Sequence, residues 1–343
     1  MTQHAPPRPA LPRRALAAAG LALLTAGAYL ARRAPAPGAT DPLALSSGLL
    51  VLAVLFVGYL ALASAGLREA ARGFVAGGGR GRVTRALAWP LCLLAGLLAH
   101  AAAIGLPLGT RLAAYGAYLT LPVLALTVRV PPGAPAGAPT GARPRALRDG
   151  VAVALLLVPA ALRLLPPLPV PAAGGPDVVK YAGYAAGAWC FLVVAPVPRV
   201  GYGTRLDGRA LRVALAGFVA FSVFAVPAGL ASGFIAWHPR PDLDRLLVLP
   251  VLLTLTTAVP EELVFRGVVQ RLAEGPTGAR RWRGLAVASG LFGLAHLPDP
   301  RYALLAAVAG AVYGLVYRRT GLLLASVVTH VLVDWTWAVL LRG

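Results

Sequence analysis

The sequence predicts an all-α polytopic membrane protein with about eleven transmembrane helices, the last four forming a C-terminal four-helix core. Of its 343 residues, 58% are hydrophobic and 13% are charged, and the mean hydropathy is +0.73. A soluble domain carries about 25% charged residues, so this composition indicates a membrane protein. The apolar residues occur in runs close to the ~20 residues that span a bilayer as a helix. Most of the basic residues lie between these runs, as expected for the loops of a membrane protein.

Eleven apolar runs are candidate membrane spans. They cover 15–31, 43–66, 86–108, 112–128, 150–165, 181–198, 213–236, 246–270, 284–297, 303–317 and 321–341. We therefore predict two regions, an N-terminal accessory region at 1–240 with about seven helices and the C-terminal core at 246–341.

The charge distribution predicts how the chain is oriented in its membrane. The net charge is +20, and the loops that are strongly basic are every second one, namely 67–85, 129–149, 199–212, 271–283 and 318–320. Basic loops favour the cytoplasmic side, so we expect a cytoplasmic N-terminus. The arginines form neither a stripe nor an aromatic-basic platform, so the lipid bilayer is the expected partner and nucleic acid is not.

The amino-acid composition indicates the kind of cell, and hence the membrane, in which the protein is expected. The chain uses much Ala, Gly, Pro and Arg, and Lys180 is its only lysine. This bias suggests a GC-rich bacterial genome, and hence a multi-pass protein of the bacterial inner membrane. The bias itself says nothing about mechanism.

Ionisable residues within the spans are few and clustered. Apart from Arg163 near the end of the span 150–165, the predicted spans contain seven of them: His100, Glu261, Glu262, Arg266, His296, His330 and Asp334. Each costs ~2.5–3.5 kcal/mol to insert, so such residues indicate a functional site by default. Six of the seven fall in the last four spans, which places the predicted site there. His100 has no visible partner, and we expect it to be structural.

Helical spacing separates the two adjacent glutamates. Glu262 and Arg266 are four residues apart, so they share a helix face and can form an ion pair. Glu261 lies about 100° around the helix from Glu262 and points elsewhere. We therefore predict that Glu262 is neutralised by Arg266, whereas Glu261 faces a cavity.

The same spacing recurs on two later spans. Phe292 and His296 are one turn apart, as are His330 and Asp334. Measured from the basic ends of their spans at about 1.5 Å per residue, Glu261, His296, His330 and Asp334 fall in one layer of the membrane. Three helices can therefore present these four side chains to a common point.

This set of residues supports hydrolysis at or within the membrane. A carboxylate and an imidazole in a cavity can activate water for attack on a carbonyl. Two histidines with carboxylates are also a reasonable zinc set, although no HExxH motif is present. Ser326 lies one turn before His330, but no nucleophile elbow surrounds it, so direct attack by water is favoured over a covalent mechanism.

Three motifs in order resemble the CAAX-protease and bacteriocin-processing family of intramembrane endopeptidases. They are Glu261-Glu262-x-x-x-Arg266, Phe292-x-x-x-His296 and His330-x-x-x-Asp334. The resemblance covers roughly Leu246 to the C-terminus. It implies an intramembrane endopeptidase that cleaves near the end of a membrane-associated protein or peptide, and it leaves the substrate open.

The resemblance also implies roles for these residues. Glu261 and His296 would activate water, while Glu262, Arg266 and Phe292 would shape the site. His330 with Asp334 would stabilise the oxyanion or, in a metal-dependent version, Glu261, His296, His330 and Asp334 would bind one zinc ion. The family has an asparagine where this chain has Asp334, and an ionised aspartate cannot donate a hydrogen bond to an oxyanion.

A different class of protein remains open from the sequence. Glutamate, histidine and aspartate at the middle of the membrane also form proton relays, so a proton-coupled transporter or a membrane scaffold is the alternative. Against a transporter, the chain shows no internal repeat of the kind that many transporters have.

Overall fold

The computed structural model of the chain describes residues 41–77, 81–128, 142–171, 176–274 and 280–342, together with Gly20 and Gly27. The described residues form eleven helices and one pair of two-residue strands. In chain order the helices are α1 (Pro42–Ala61), α2 (Ala65–Ala76), α3 (Arg82–Ala103), α4 (Leu108–Thr127), α5 (Ala142–Ala161), α6 (Val178–Val194), α7 (Gly208–Ala231), α8 (Asp244–Ala273), α9 (Arg280–Leu294), α10 (Pro300–Thr320) and α11 (Leu323–Leu340). The strands β1 (Ala236–Trp237) and β2 (Leu341–Arg342) are antiparallel and pair Ala236 with Arg342.

The predicted class, an all-α polytopic membrane protein, is confirmed. Helices α1, α3, α7, α8, α10 and α11 are each long and apolar enough to cross a membrane. Every predicted span from 43–66 onwards coincides with a helix, whereas the first, 15–31, lies outside the described residues apart from Gly20 and Gly27. Helix α2 was not predicted, because it is short and amphipathic and lies within a loop that is basic overall.

Large apolar side chains remain exposed on the outward faces of several helices. Val54 on α1, Leu91 on α3, Leu121 on α4 and Val223 on α7 are examples. A soluble protein rarely exposes so much contiguous apolar surface. These faces therefore fit contact with lipid.

Aspartate caps the start of four helices. Each accepts a hydrogen bond from a backbone N–H of the first turn, which would otherwise lack a partner. The four caps are Asp41 of α1, Asp177 of α6, Asp207 of α7 and Asp299 of α10. The Arg301 guanidinium also donates to Asp299 and holds the pKa of that carboxyl below its usual range.

Helix α6 lies at the centre of the structure. It packs against α1, α4, α5 and α8, and its small residues, such as Ala182 and Ala186, are fully buried. The largest apolar cluster runs without a break from Leu52 on α1 through α6 to Val327 on α11. The residues before and after position 240 therefore share one core.

The connecting segments meet at two opposite ends of the helices. At one end, Arg68 donates to the Tyr202 carbonyl over 2.9 Å, and the Leu323 amide donates to Gly201 over 3.1 Å. These contacts join two of the predicted cytoplasmic loops, 67–85 and 199–212, to each other and to the start of the last span. At the other end, the His238 amide donates to the Leu340 carbonyl over 2.9 Å. The grouping fits the alternating charge pattern, and the orientation in the membrane stays a prediction.

Helices α9 and α10 form a tightly packed hairpin. A Cβ atom added to Gly293 of α9 would lie 2.6 Å from the Ala303 carbonyl oxygen and 2.8 Å from the Ala307 Cβ of α10. Such contacts require the helix backbones to separate. Small residues of this kind let membrane helices approach closely.

We expect Gly293→Ala to destabilise the protein by about 1–3 kcal/mol, because the added methyl group overpacks the contact between α9 and α10. The matched control is Gly290→Ala on the same helix, where an added Cβ meets nothing within 4 Å. Unfolding in detergent micelles measures both variants. If Gly293→Ala is as stable as Gly290→Ala, the hairpin is not packed as described.

Candidate active site

Helix α8 places the two adjacent glutamates between widened helical turns. In the stretch Thr254–Ala258, the Val259 amide bonds to a carbonyl five residues earlier, and Leu263–Gln270 has the same widened form. Such π-helical turns are frequent at functional sites. Glu262 and Arg266 are fully buried, and Glu262 Oε2 lies 3.2 Å from Arg266 Nε. The predicted ion pair is therefore present.

His330 on α11 joins this buried pair. Its Nδ1 lies 2.9 Å from Glu262 Oε1, and its Nε2 lies 3.4 Å from Asp334 Oδ2. Carboxylates are acceptors, so both ring nitrogens can donate only when the imidazole is protonated. Ser326 donates to Glu262 rather than to His330. Glu262, Arg266, His330 and Asp334 then form a cluster with no net charge, which lowers the cost of burying each member.

Aromatic rings enclose the charged cluster. The Arg266 guanidinium lies 4.6 Å from the centre of the Phe292 ring and 5.3 Å from that of Tyr313. Tyr313 also stacks on the His330 ring, with the two centres 4.6 Å apart. Arg266 donates to the Gly310 carbonyl over 3.0 Å. These contacts fix the arginine, and the predicted structural role of Phe292 is consistent with them.

Glu261 points away from that cluster and has its own partners. Its Oε1 lies 3.5 Å from Lys180 Nζ and 3.4 Å from the Tyr184 hydroxyl, both on α6. Glu261 is nearly buried, whereas the Lys180 side chain is half-exposed. The two adjacent glutamates are thus neutralised by different helices.

His296 lies just beyond the end of its helix. The predicted span 284–297 places His296 inside a helix, but α9 ends at Leu294. Pro298 explains the earlier end, since proline has no N–H and cannot continue a helix. His296 Nδ1 lies 2.6 Å from the Phe292 carbonyl oxygen. A carbonyl only accepts, so Nδ1 donates and Nε2 is the nitrogen able to accept a proton.

The four predicted residues line one cavity of about 1250 Å³. Glu261, His296, His330 and Asp334 all line it, as do Lys180 and Tyr184. Its walls are mostly apolar and come from both sides of residue 240, including α5, α6 and α7 as well as α8 to α11. The cavity is therefore mostly apolar, carries a few charged side chains on its walls and is large enough for a peptide segment.

The residues do not fit the predicted zinc site as they stand. Glu262 Oε1 lies 2.9 Å from Nδ1 of His330, which leaves Nε2 as the ring nitrogen that could face a metal. Across the described part of the chain, no three or more His, Cys, Asp or Glu side chains are arranged to hold a metal ion. The mechanism proposed for this site therefore uses no zinc ion.

Two residues of this candidate site were not predicted from the sequence. Lys180 and Tyr184 lie outside the three motifs, and the predicted span began at 181, after Lys180. The sequence did offer one signal for Lys180, because the only lysine of the chain stands at the start of an apolar segment. His100, predicted to be structural, lies 2.8 Å from the Ser47 hydroxyl and 3.2 Å from the Pro169 carbonyl. It does not line the cavity.

The fold and the site together define a class of protein. The chain is a multi-pass helical membrane protein, and charged side chains from different helices meet around a cavity within its helical bundle. Charged residues inside a membrane protein are rare and accompany catalysis or transport.

Comparison with known proteins identifies the family of the C-terminal part of the chain. Residues 244–336 match the family model described as Rce1-like, type II CAAX prenyl endopeptidase. The chain therefore carries a domain of the CAAX-protease and bacteriocin-processing family, which supports an intramembrane endopeptidase. No curated protein and no solved structure gives a significant match. The match begins at the first residue of α8 and includes neither Lys180 nor Tyr184.

Proposed function

We propose that this protein is an intramembrane endopeptidase in which Glu261 and His296 activate a water molecule. The water attacks a peptide carbonyl near the end of a membrane-associated protein or peptide. The observation that carries the proposal is the different orientation of two neighbouring carboxylates. Glu262 forms an ion pair within a buried charge cluster, whereas Glu261 lines the same cavity as His296.

The two residues have complementary abilities. Glu261 accepts a proton from water as a general base, and the half-exposed Lys180 balances its charge. His296 presents Nε2 as an acceptor, because its Nδ1 proton is held by the Phe292 carbonyl. A carboxylate and an imidazole on one cavity can take up the water proton and return it to the departing amine. Hydrolysis then needs no side-chain nucleophile.

His330 and Asp334 act differently in this proposal from the role that the family resemblance implies. Both ring nitrogens of His330 face carboxylates, so neither N–H is free for an oxyanion. His330 instead links Glu262 to Asp334 and thereby fixes α11 beside α8. Asp334 is about one-third exposed and places a second carboxylate on the cavity wall.

In this proposal the residues that activate water belong to 246–341, and residues 1–240 form the accessory region. The accessory region supplies apolar walls of the cavity from α5, α6 and α7. An apolar wall of this kind suits a substrate that arrives through the lipid phase. The accessory region also supplies the partners of Glu261.

The test uses purified protein reconstituted into liposomes with two anchored probes. One is a pool of N-palmitoylated peptides with randomised C-terminal residues, and the other is an S-farnesylated peptide ending in a CAAX sequence. Mass spectrometry is expected to detect cleavage of an internal peptide bond in at least one probe, at a rate that 1,10-phenanthroline does not change. Loss of cleavage with the chelator would restore the zinc mechanism. Failure to cleave either probe, combined with Glu261-dependent proton-coupled uptake, would favour the transporter.

A further inference from the structure

The cavity contains a cation that lies outside the matched family domain. Lys180 Nζ lies 3.5 Å from Glu261 Oε1, and its side chain is half-exposed. Any water held by Glu261 for attack is therefore close to this ammonium group. Positive charge at such a position stabilises negative charge that develops during a reaction.

The position of Lys180 on its helix is specific. Almost every residue of α6 from Val178 to Val194 is buried, and only Lys180 and Tyr184 are not. These two residues are one turn apart and share a face. Both line the cavity, and both contact Glu261. The polar face of α6 that carries Lys180 and Tyr184 is therefore directed towards the cavity, and the other residues of the helix are buried in the core.

The other charged groups that line the cavity are poorly suited to hold an oxyanion. Asp177 accepts backbone N–H groups of Leu168 and Val179, and Asp334 is an acceptor beside His330. Arg163 follows the end of α5 and has no contact with Glu261 among the described residues. Lys180 is the lining cation that lies beside the proposed base.

We infer that the Lys180 ammonium stabilises the tetrahedral oxyanion of the hydrolysis, an inference that rests on the proposed function. The water oxygen bonds to the carbonyl carbon while Glu261 takes one water proton. The electron pair of the C=O π bond moves to the carbonyl oxygen, which becomes the oxyanion facing Lys180. When the C=O bond re-forms, the C–N bond breaks and the departing nitrogen receives the proton.

Recognition of a substrate C-terminal carboxylate is a weaker assignment for the same lysine. A carboxylate bound at Lys180 would lie beside Glu261, and the two negative charges would repel each other in a medium of low dielectric constant. The oxyanion, in contrast, develops as Glu261 accepts the water proton and loses its charge. The geometry therefore favours the oxyanion over a bound carboxylate.

The test compares Lys180→Met, Lys180→Arg and Tyr184→Phe on the probe that the wild-type protein cleaves. Lys180→Met is expected to lower kcat by about 10²–10³, with KM nearly unchanged, as for the loss of one oxyanion donor. Lys180→Arg is expected to recover part of the loss because it restores the charge. Tyr184→Phe removes a hydrogen bond to Glu261 without removing charge, and it is expected to cost about tenfold or less. Arg209→Met, which removes an exposed cation at the start of α7, is the charge control and is expected to be fully active.

A thioamide at the scissile bond separates stabilisation of the oxyanion from positioning of Glu261. Sulfur is a poorer acceptor than oxygen, so the wild-type rate is expected to fall, and the amide-to-thioamide rate ratio is expected to shrink in Lys180→Met. An unchanged ratio would mean that Lys180 acts only through Glu261 and would overturn the inference. If Lys180→Met cleaves at the wild-type rate while Glu261→Gln is inactive, the inference fails and the proposed function stands. If the wild-type protein cleaves nothing, both fail.

Discussion

Glu261→Gln is expected to lower the cleavage rate by about 10²–10⁴ while leaving the stability of the protein nearly unchanged. Glutamine keeps the size of the side chain and removes its ability to accept a proton. The change leaves Lys180 without its counter-ion, but that side chain is half-exposed and the cost is small. Cleavage of the anchored probe and unfolding in detergent micelles measure the two effects on the same preparation.

The matched control for this prediction is Glu69→Gln on α2. Glu69 is exposed and does not line the cavity, so its replacement is expected to change neither activity nor stability. Wild-type cleavage by Glu261→Gln would remove Glu261 from the mechanism. A large loss of stability in Glu261→Gln would instead show that Glu261 is a structural residue.

Glu262→Leu is expected to produce the opposite pattern, with a loss of about 3–5 kcal/mol in the free energy of unfolding. The carboxylate contacts Arg266 and His330 in a fully buried cluster and also accepts from Ser326. Removing it leaves two buried cations without their shared partner. Unfolding in detergent micelles, monitored by circular dichroism, measures the effect.

The double variant Glu262→Leu with Arg266→Leu tests the cause of that loss. If an unpaired buried charge is responsible, removing the arginine as well is expected to recover much of the stability, because apolar residues often replace a buried pair at little cost. An additive loss would show that the residues matter through packing alone. Glu69→Leu serves as the surface control.

Much of the fold could be predicted because the membrane imposes a simple rule. A spanning helix must be apolar over about 20 residues, and the segments 43–66 and 213–236 satisfy it clearly. The same rule allowed the candidate site to be predicted, because placing ionisable residues such as Glu262 and His330 within the membrane costs free energy unless they are paired. The spacing of Glu262 and Arg266 then identified the buried pair correctly.

The remaining features depend on contacts between distant parts of the chain. Lys180 is remote from Glu261 in sequence, and only the packing of α6 against α8 brings them together. Helix α2 is held through Arg72, which donates to the Leu192 carbonyl of α6 over 2.8 Å. Local hydropathy contains no information about either contact. The early end of α9, by contrast, could have been predicted from Pro298, because proline cannot continue a helix.

Trapping the reaction with hydroxylamine tests the central claim most directly. Direct attack by water predicts that the wild-type protein, working in isotopically labelled water with hydroxylamine present, releases a fragment with one solvent oxygen in its new carboxyl group. No hydroxamate is expected, because no acyl-enzyme forms for hydroxylamine to intercept. A peptide hydroxamate as product would reveal a covalent intermediate and would contradict direct attack on the peptide carbonyl by water that Glu261 and His296 activate.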